Sequence, residues 1–203
     1  MQNEKKIGLA KGLTNYGDPA FSLYLRRSFA KSMGYSGEML ARPVVGIADS
    51  RSGFNNCHRH FPELIDAVKR GVLAAGGLPI EFPTTSLGEV FLSPTSMMFR
   101  NLMAMDVEEM VRAQPMDAVV LVGGCDKTVP AQLMGAASAG IPAIQLITGS
   151  MLTGSHRGER GCSCGAAARR ADDADLVPRR TSRGLHRLPP FLGPSSGGKS
   201  NFF

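Results

Sequence analysis

No apolar stretch of this chain approaches the roughly 20 residues that a membrane-spanning helix needs. The N-terminal Met1-Gln2-Asn3-Glu4-Lys5-Lys6 lacks the apolar core of a signal peptide. The expectation is a cytoplasmic protein with no membrane partner. Cysteine is scarce, at four residues, and Cys57 and Cys125 lie too far apart in sequence to suggest a disulfide in a cytosolic chain. The additional Cys or His ligands that zinc would need at standard spacing are also missing. A basic folded face is lacking too. The formal charge is +6, yet residues 161 to 203 hold six arginines and one lysine against three aspartates, so they supply +4 of it. The first 160 residues carry only +2, and nucleic acid is not the expected partner.

The last forty or so residues lack other things. No isoleucine follows Ile147 and no methionine follows Met151, although the chain has eleven methionines. After Arg160 comes Gly161-Cys162-Ser163-Cys164-Gly165-Ala166-Ala167-Ala168-Arg169-Arg170, followed by a mixture rich in Arg, Pro, Gly and Ser. No apolar period there is long enough to specify an element. Two readings are open: a natural disordered tail, or a shifted reading frame, since misread GC-rich DNA encodes Ala, Arg, Gly and Pro. Cys162-Ser163-Cys164 falls in this stretch and reads as accidental rather than as a metal pair.

What remains is regular. Hydrophobic residues make up 43% and charged residues 20% of the 203, ordinary values for a globular domain or part of one. Asp18-Pro19 is a helix start, with the carboxylate as N-cap and proline in the first turn. A helical pattern then runs through Phe21, Leu23, Leu25 and Phe29 towards Gly34. Residues 43 to 49 read as a strand. Leu64, Val68 and Val72 recur at four-residue spacing, so residues 62 to 75 form an amphipathic helix, ended by Gly76-Gly77. A short strand at 78 to 82 follows, then a helical region from Ser93-Pro94 to about Gln114. A strand at 118 to 122, a helix from about Val129 to Ser138 and a strand at 142 to 147 complete the pattern. Strand and helix in alternation specify an α/β fold with a parallel sheet flanked by helices.

In such a fold the loops that follow the strands open at one sheet edge, where ligands bind. Those loops carry Asn55-Asn56-Cys57-His58, Thr85-Ser86-Leu87-Gly88-Glu89, Gly124-Cys125-Asp126-Lys127 and Thr153-Gly154-Ser155-His156-Arg157-Gly158-Glu159. The third is the most informative. The aliphatic run Val119-Val120-Leu121-Val122 ends in two glycines, then a thiol, a carboxylate and an amine in successive positions. Each residue also has an ordinary reading. Cys57 alone is more often a small buried hydrophobe than a ligand, Cys125 could pack behind its strand, and Glu89 could be a solvated loop carboxylate. His58 and His60 read as surface residues without a role. Converging thiolates would leave a metal ion or an iron–sulfur cluster as their partner, and the carboxylates and lysine suggest a second, harder ion such as magnesium.

Residues 13 to 160 closely resemble the N-terminal part of the dihydroxy-acid and sugar-acid dehydratases, the group that includes phosphogluconate dehydratase. The matching segments are Arg42-Pro43-Val44-Val45-Gly46-Ile47, Asn56-Cys57, Ala75-Gly76-Gly77-Leu78-Pro79, Gln114-Pro115-Met116-Asp117, Gly124-Cys125-Asp126-Lys127 with Pro130, and His156-Arg157-Gly158-Glu159. The resemblance implies a hydro-lyase that removes water from a 2,3-dihydroxy acid to give a 2-keto-3-deoxy acid. It implies a [2Fe-2S] cluster on three cysteines that takes the departing 3-hydroxyl, and a magnesium ion that holds the substrate carboxylate and 2-hydroxyl. On this pattern Cys57 and Cys125 are cluster ligands. Glu89, Asp126 and Lys127, the last as a carbamate, are magnesium ligands. Glu89 and the wording around Met97 to Met116 look more like the sugar-acid branch, with an arabinonate-like substrate, than the branched-chain amino-acid branch. Members are usually homo-oligomers.

The departures are equally specific. The family supplies a third cluster cysteine, another magnesium carboxylate and a base serine from segments that this chain does not match, so no catalytic base is assigned. The expectation is therefore a partial N-terminal dehydratase domain over residues 1 to 160, a non-homologous tail over 161 to 203 that favours a shifted frame, and an inactive chain. The alternative is a non-catalytic remnant that binds at most magnesium or a carboxylate ligand.

Overall fold

A computed structural model describes residues 6–149, 154–156 and 159–161 of the chain. The remaining tail, with Cys162 and Cys164, lies outside the described residues, and so does the reading of residues 161 to 203 as disordered or frame-shifted.

Four strands form one parallel sheet: β1 (Val44–Asp49), β2 (Leu78–Pro83), β3 (Ala118–Gly123) and β4 (Ala143–Ile147), in the spatial order β2-β1-β3-β4. The register pairs Val44 with Leu78 and Val45 with Ala118, and Val119 with Ala143. Because successive side chains point to opposite faces, neighbouring residues of a strand enter different cores. Ala48 and Leu121 join one face and Ile47 and Val122 the other, all at 0% exposure. Burial on both faces accounts for their near-continuous apolar sequence.

Helix α1 (Pro19–Ser32) begins as its sequence suggests, with the Asp18 carboxylate accepting the Ala20 N–H at 2.9 Å. Helix α2 (Phe61–Ala74) covers one sheet face through Phe61 and Ile65. Helices α3 (Arg100–Ala113) and α4 (Thr128–Ala139) pack together, and the α3 residues Val107 and Val111 and the α4 residue Ala136 join the core on the other face. The crossing is close because α4 places Gly135 there: a Cβ would lie 2.5 Å from the Ala104 carbonyl oxygen. Gly140, at φ +69°, ends α4 in the left-handed conformation that glycine adopts without strain.

The third helix starts later than its pattern suggests. Thr95 accepts the Met97 N–H on its side chain and opens a 3-10 turn over Ser96–Phe99, so α-helical geometry begins only at Arg100. Phe21 and Phe29, read as part of an apolar helix pattern, are 47% and 69% exposed on α1. At the other margin Ile144 and Ile147 of edge strand β4 are exposed. Gly154–His156 and Glu159–Gly161 form a separate antiparallel ribbon.

The N-terminal segment is tied down by Asp117. Its Oδ2 accepts the Gly8 N–H at 2.7 Å and the Val44 N–H at 2.9 Å, while Lys11 Nζ lies 3.3 Å from Oδ1.

Candidate functional site

The loops after β1, β2 and β3 meet at the carboxyl ends of their strands. After β1, Asn55 caps a 3-10 turn over Asn56–His58 by accepting the Cys57 N–H at 3.0 Å, and Cys57 is fully buried. The Asn55 amide also donates to the Leu87 carbonyl at 2.9 Å, which joins the β1 and β2 loops. After β3, Cys125 has φ +68°, a left-handed conformation uncommon outside glycine. A residue held in such a conformation stores strain, and strain of this kind clusters at functional sites.

The turn brings Cys125 against Cys57, and the two thiols hydrogen-bond to each other. Cys125 Sγ also lies 3.5 Å from Asn55 Oδ1. Two thiols in contact cannot both ionise readily. The shared bond holds Cys125 well below the ordinary thiol range; burial opposes this, and bonds with His58 and Asn55 add to the lowering. The same bond, with burial, pushes Cys57 up. One thiolate and one thiol are the result, with Cys125 carrying the charge.

Beside the thiols stands a charged cluster. Lys127 Nζ lies 2.5 Å from Glu89 Oε2 and 2.9 Å from Asp126 Oδ2, and the lysine side chain is only 15% exposed. Burial works to lower the Lys127 pKa, but the two carboxylates more than reverse it, and the net shift is upward. The ammonium therefore occupies the point where two carboxylates converge. Phe54, Glu89, Ser96, Cys125, Asp126 and Lys127 line a single small pocket here. Ser96 is buried, and its hydroxyl has no hydrogen-bond partner. All five residues singled out in the sequence as candidate ligands are thus brought to one place from three loops.

The histidines correct the sequence reading. Expected at the surface without a role, His58 is fully buried and bonded to all three loops. His60 is half-buried, and its Nε2 has no hydrogen-bond partner. The physical reason is convergence: a polar loop lying over strand ends is covered by the neighbouring loops, and local composition does not report this. Asn55 was missed for the same reason. The only local hint was His58 three residues ahead of Phe61, which stacks on it at 4.4 Å. The loop after β4 lies largely outside the described residues: Thr148 is buried beside the site, and no side chain of residues 153 to 159 is described.

Residues 42–180 match the N-terminal model of the dihydroxy-acid/6-phosphogluconate dehydratase family. This chain belongs to that family. Its members are dehydratases, that is, hydro-lyases. The match runs past residue 160, where the composition changes. The L-arabonate dehydratase of Azospirillum brasilense is 49% identical over 137 residues, 67% of this chain and 24% of that enzyme. The 6-deoxy-6-sulfo-D-gluconate dehydratase of Pseudomonas putida is 48% identical over 121 residues, 60% of this chain and 21% of that enzyme. A dihydroxy-acid dehydratase of Clostridium novyi is 41% identical over 139 residues, 66% and 25% respectively. The chain therefore spans about a quarter of the length of these curated relatives.

Dehydratases of this family generally use an iron–sulfur cluster and Mg2+. The donor chemistry fits both. Two touching thiols, one already favoured as thiolate, suit a soft iron–sulfur centre, and two carboxylates meeting on one cation suit a hard ion. Neither set is complete: among the described residues no group of three or more His, Cys, Asp or Glu side chains is arranged to hold a metal ion. Also among them, no helix is long and apolar enough to cross a membrane.

Proposed function

We propose that this chain carries the N-terminal half-site of an iron–sulfur and magnesium-dependent dehydratase that converts a 2,3-dihydroxy sugar acid into a 2-keto-3-deoxy acid in the cytoplasm. One observation carries the reading: Cys125, whose thiol meets the buried Cys57, lines the same pocket as the Glu89–Lys127–Asp126 cluster. When bound, the two cofactors supply Lewis acidity, one to the leaving hydroxyl and the other to the carboxylate and 2-hydroxyl, which acidifies the C2 proton.

Cys57 and Cys125 hold the cluster side. Glu89 and Asp126 hold the magnesium side. Lys127 changes role: its neutral amine adds to carbon dioxide, releases one proton and becomes a carbamate. That step replaces the ammonium between the carboxylates with a third oxygen donor, so the two states of Lys127 are mutually exclusive with respect to the cation. Phe54 and Leu87 add apolar surface to the lining of this pocket. An arabonate-like acid is favoured as substrate, given the sugar-acid relatives and Glu89. The described residues supply two cysteine ligands and no residue assigned as proton acceptor at C2, so the 203-residue chain by itself is expected to show no turnover.

A second reading rests on the incomplete ligand sets: a module that binds magnesium or a carboxylate ligand only. Anaerobic reconstitution of the chain with iron and sulfide separates the two. The first reading expects visible sulfur-to-iron absorption that is lost in both Cys57→Ser and Cys125→Ser. No such band, together with Mg2+ binding that depends on Glu89 and Asp126, supports the second. Formation of a 2-keto-3-deoxy acid by the reconstituted chain would refute the expectation of inactivity.

A further inference from the structure

We propose that His58 is the positioning residue of the thiol pair: its imidazole ties together the loops after β1, β2 and β3 and sets the turn that presents Cys125 to Cys57. The proposal rests on the reading of Cys57 and Cys125 as ligands of a thiolate-held centre.

The ring is fully buried, and both nitrogens are engaged. Nδ1 lies 2.7 Å from the Ser50 carbonyl after β1 and 2.8 Å from Ser86 Oγ after β2. A carbonyl can only accept, so Nδ1 carries the proton and Nε2 of the neutral ring is an acceptor. Nε2 abuts the Gly124 peptide after β3, 3.2 Å from its nitrogen and 3.1 Å from its oxygen. The Gly124 N–H is the donor that this nitrogen accepts. Phe61 stacks on the ring at 4.4 Å and 25°, which fixes its plane.

The Gly124 bond lies next to the strained residue. Cys125, at φ +68°, follows directly, and a side chain does not fit in between. A Cβ on Gly124 would stand 2.5 Å from Thr148 Oγ1, 3.3 Å from His58 Cδ2 and 3.4 Å from Cys57 Cβ. Ring, turn and thiols are thus in direct sequence. Side chains that orient a metal ligand are typically worth roughly 10- to 100-fold in affinity.

The two ends of the ring can be tested separately. Asparagine keeps a donor near Nδ1 and nothing at Nε2, whereas glutamine reaches the Nε2 position. The probe is Cd2+, titrated into the full chain and followed by its ultraviolet thiolate charge-transfer band. All variants carry Cys162→Ser and Cys164→Ser so that only the inner pair responds. His58→Asn is expected to weaken Cd2+ binding by about tenfold or more, while His58→Gln stays within about threefold of the parent and restores the band. Phe61→Leu lowers Tm without that loss of affinity. Equal affinity in the parent and His58→Asn overturns the role of His58 alone, as does a loss that simply follows Tm across all three variants. If His58→Asn does not fold, His58→Gln decides: affinity within threefold supports the role, and a tenfold loss overturns it. A parent with no thiolate band, or a band that survives Cys57→Ser with Cys125→Ser, overturns the ligand reading and this proposal with it.

Discussion

Gly88→Ala is a sharp test of how the β1 and β2 loops are held together. Gly88 has φ −95° and ψ 105°, a conformation open to any residue, so alanine incurs no backbone strain there. The obstacle is steric. A Cβ would lie 1.9 Å from the Phe54 carbonyl oxygen and 2.6 Å from its carbonyl carbon. Both are backbone atoms and cannot rotate aside. Restoring even a 3.0 Å contact requires the two loops to part by about 1.1 Å. The Asn55–Leu87 hydrogen bond, 2.9 Å long, would then stretch to roughly 4 Å and be lost.

Overpacking costs about 1–3 kcal/mol and the broken bond about 1 kcal/mol. The reduced freedom of the unfolded chain returns about 0.4–1 kcal/mol. A net loss of about 1–3.6 kcal/mol lowers Tm by about 2–14 °C in a chain of this size. Calorimetry and urea denaturation measure it. The control is Gly71→Ala in α2, where a Cβ meets nothing within 4 Å; helix propensity then stabilises by about 0.5–1 kcal/mol. A Gly88→Ala variant as stable as the parent, or stabilised like Gly71→Ala, refutes the close approach of these loops.

Two further tests address the scaffold. Asp117→Ala removes the acceptor of the Gly8 and Val44 N–H groups, so the urea midpoint should fall by an amount equivalent to about 2–4 kcal/mol, with the m-value unchanged. His60 is held below its ordinary pKa of 6.5, by burial first and by His58 and Arg59 in addition, against a smaller upward pull from Glu63. Below pH 6.5 the unfolded chain therefore binds more protons than the folded one, and stability falls as pH drops towards the lowered value. In His60→Gln that acid slope should flatten, as read from denaturation midpoints across pH 5 to 7; an unchanged slope removes His60 as its source.

Much of the site was legible before any coordinates. Repeating strand and helix signals placed β1 to β4 and α1, α2 and α4 within a few residues, because buried parallel strands and amphipathic helices leave strong apolar periods. The Gly124-Cys125-Asp126-Lys127 turn was visible because successive reactive groups after an aliphatic strand have no packing explanation. Parallel topology then implied that Cys57, Glu89 and this turn share one edge. The later start of α3 was less visible: the Thr95 cap that delays it is a single side-chain bond.

The sequence alone therefore determined the alternating α/β order and the identity of the thiol and carboxylate candidates, since both depend on local chemistry and period. Tertiary structure alone decided which thiol carries the charge, that Lys127 bridges Glu89 and Asp126, and that His58 lies at the centre rather than the surface. These depend on how three loops far apart in sequence fall against one another once the strands are paired. The contact between Cys57 and Cys125, and the burial that gives it its electrostatic effect, exist only after that pairing.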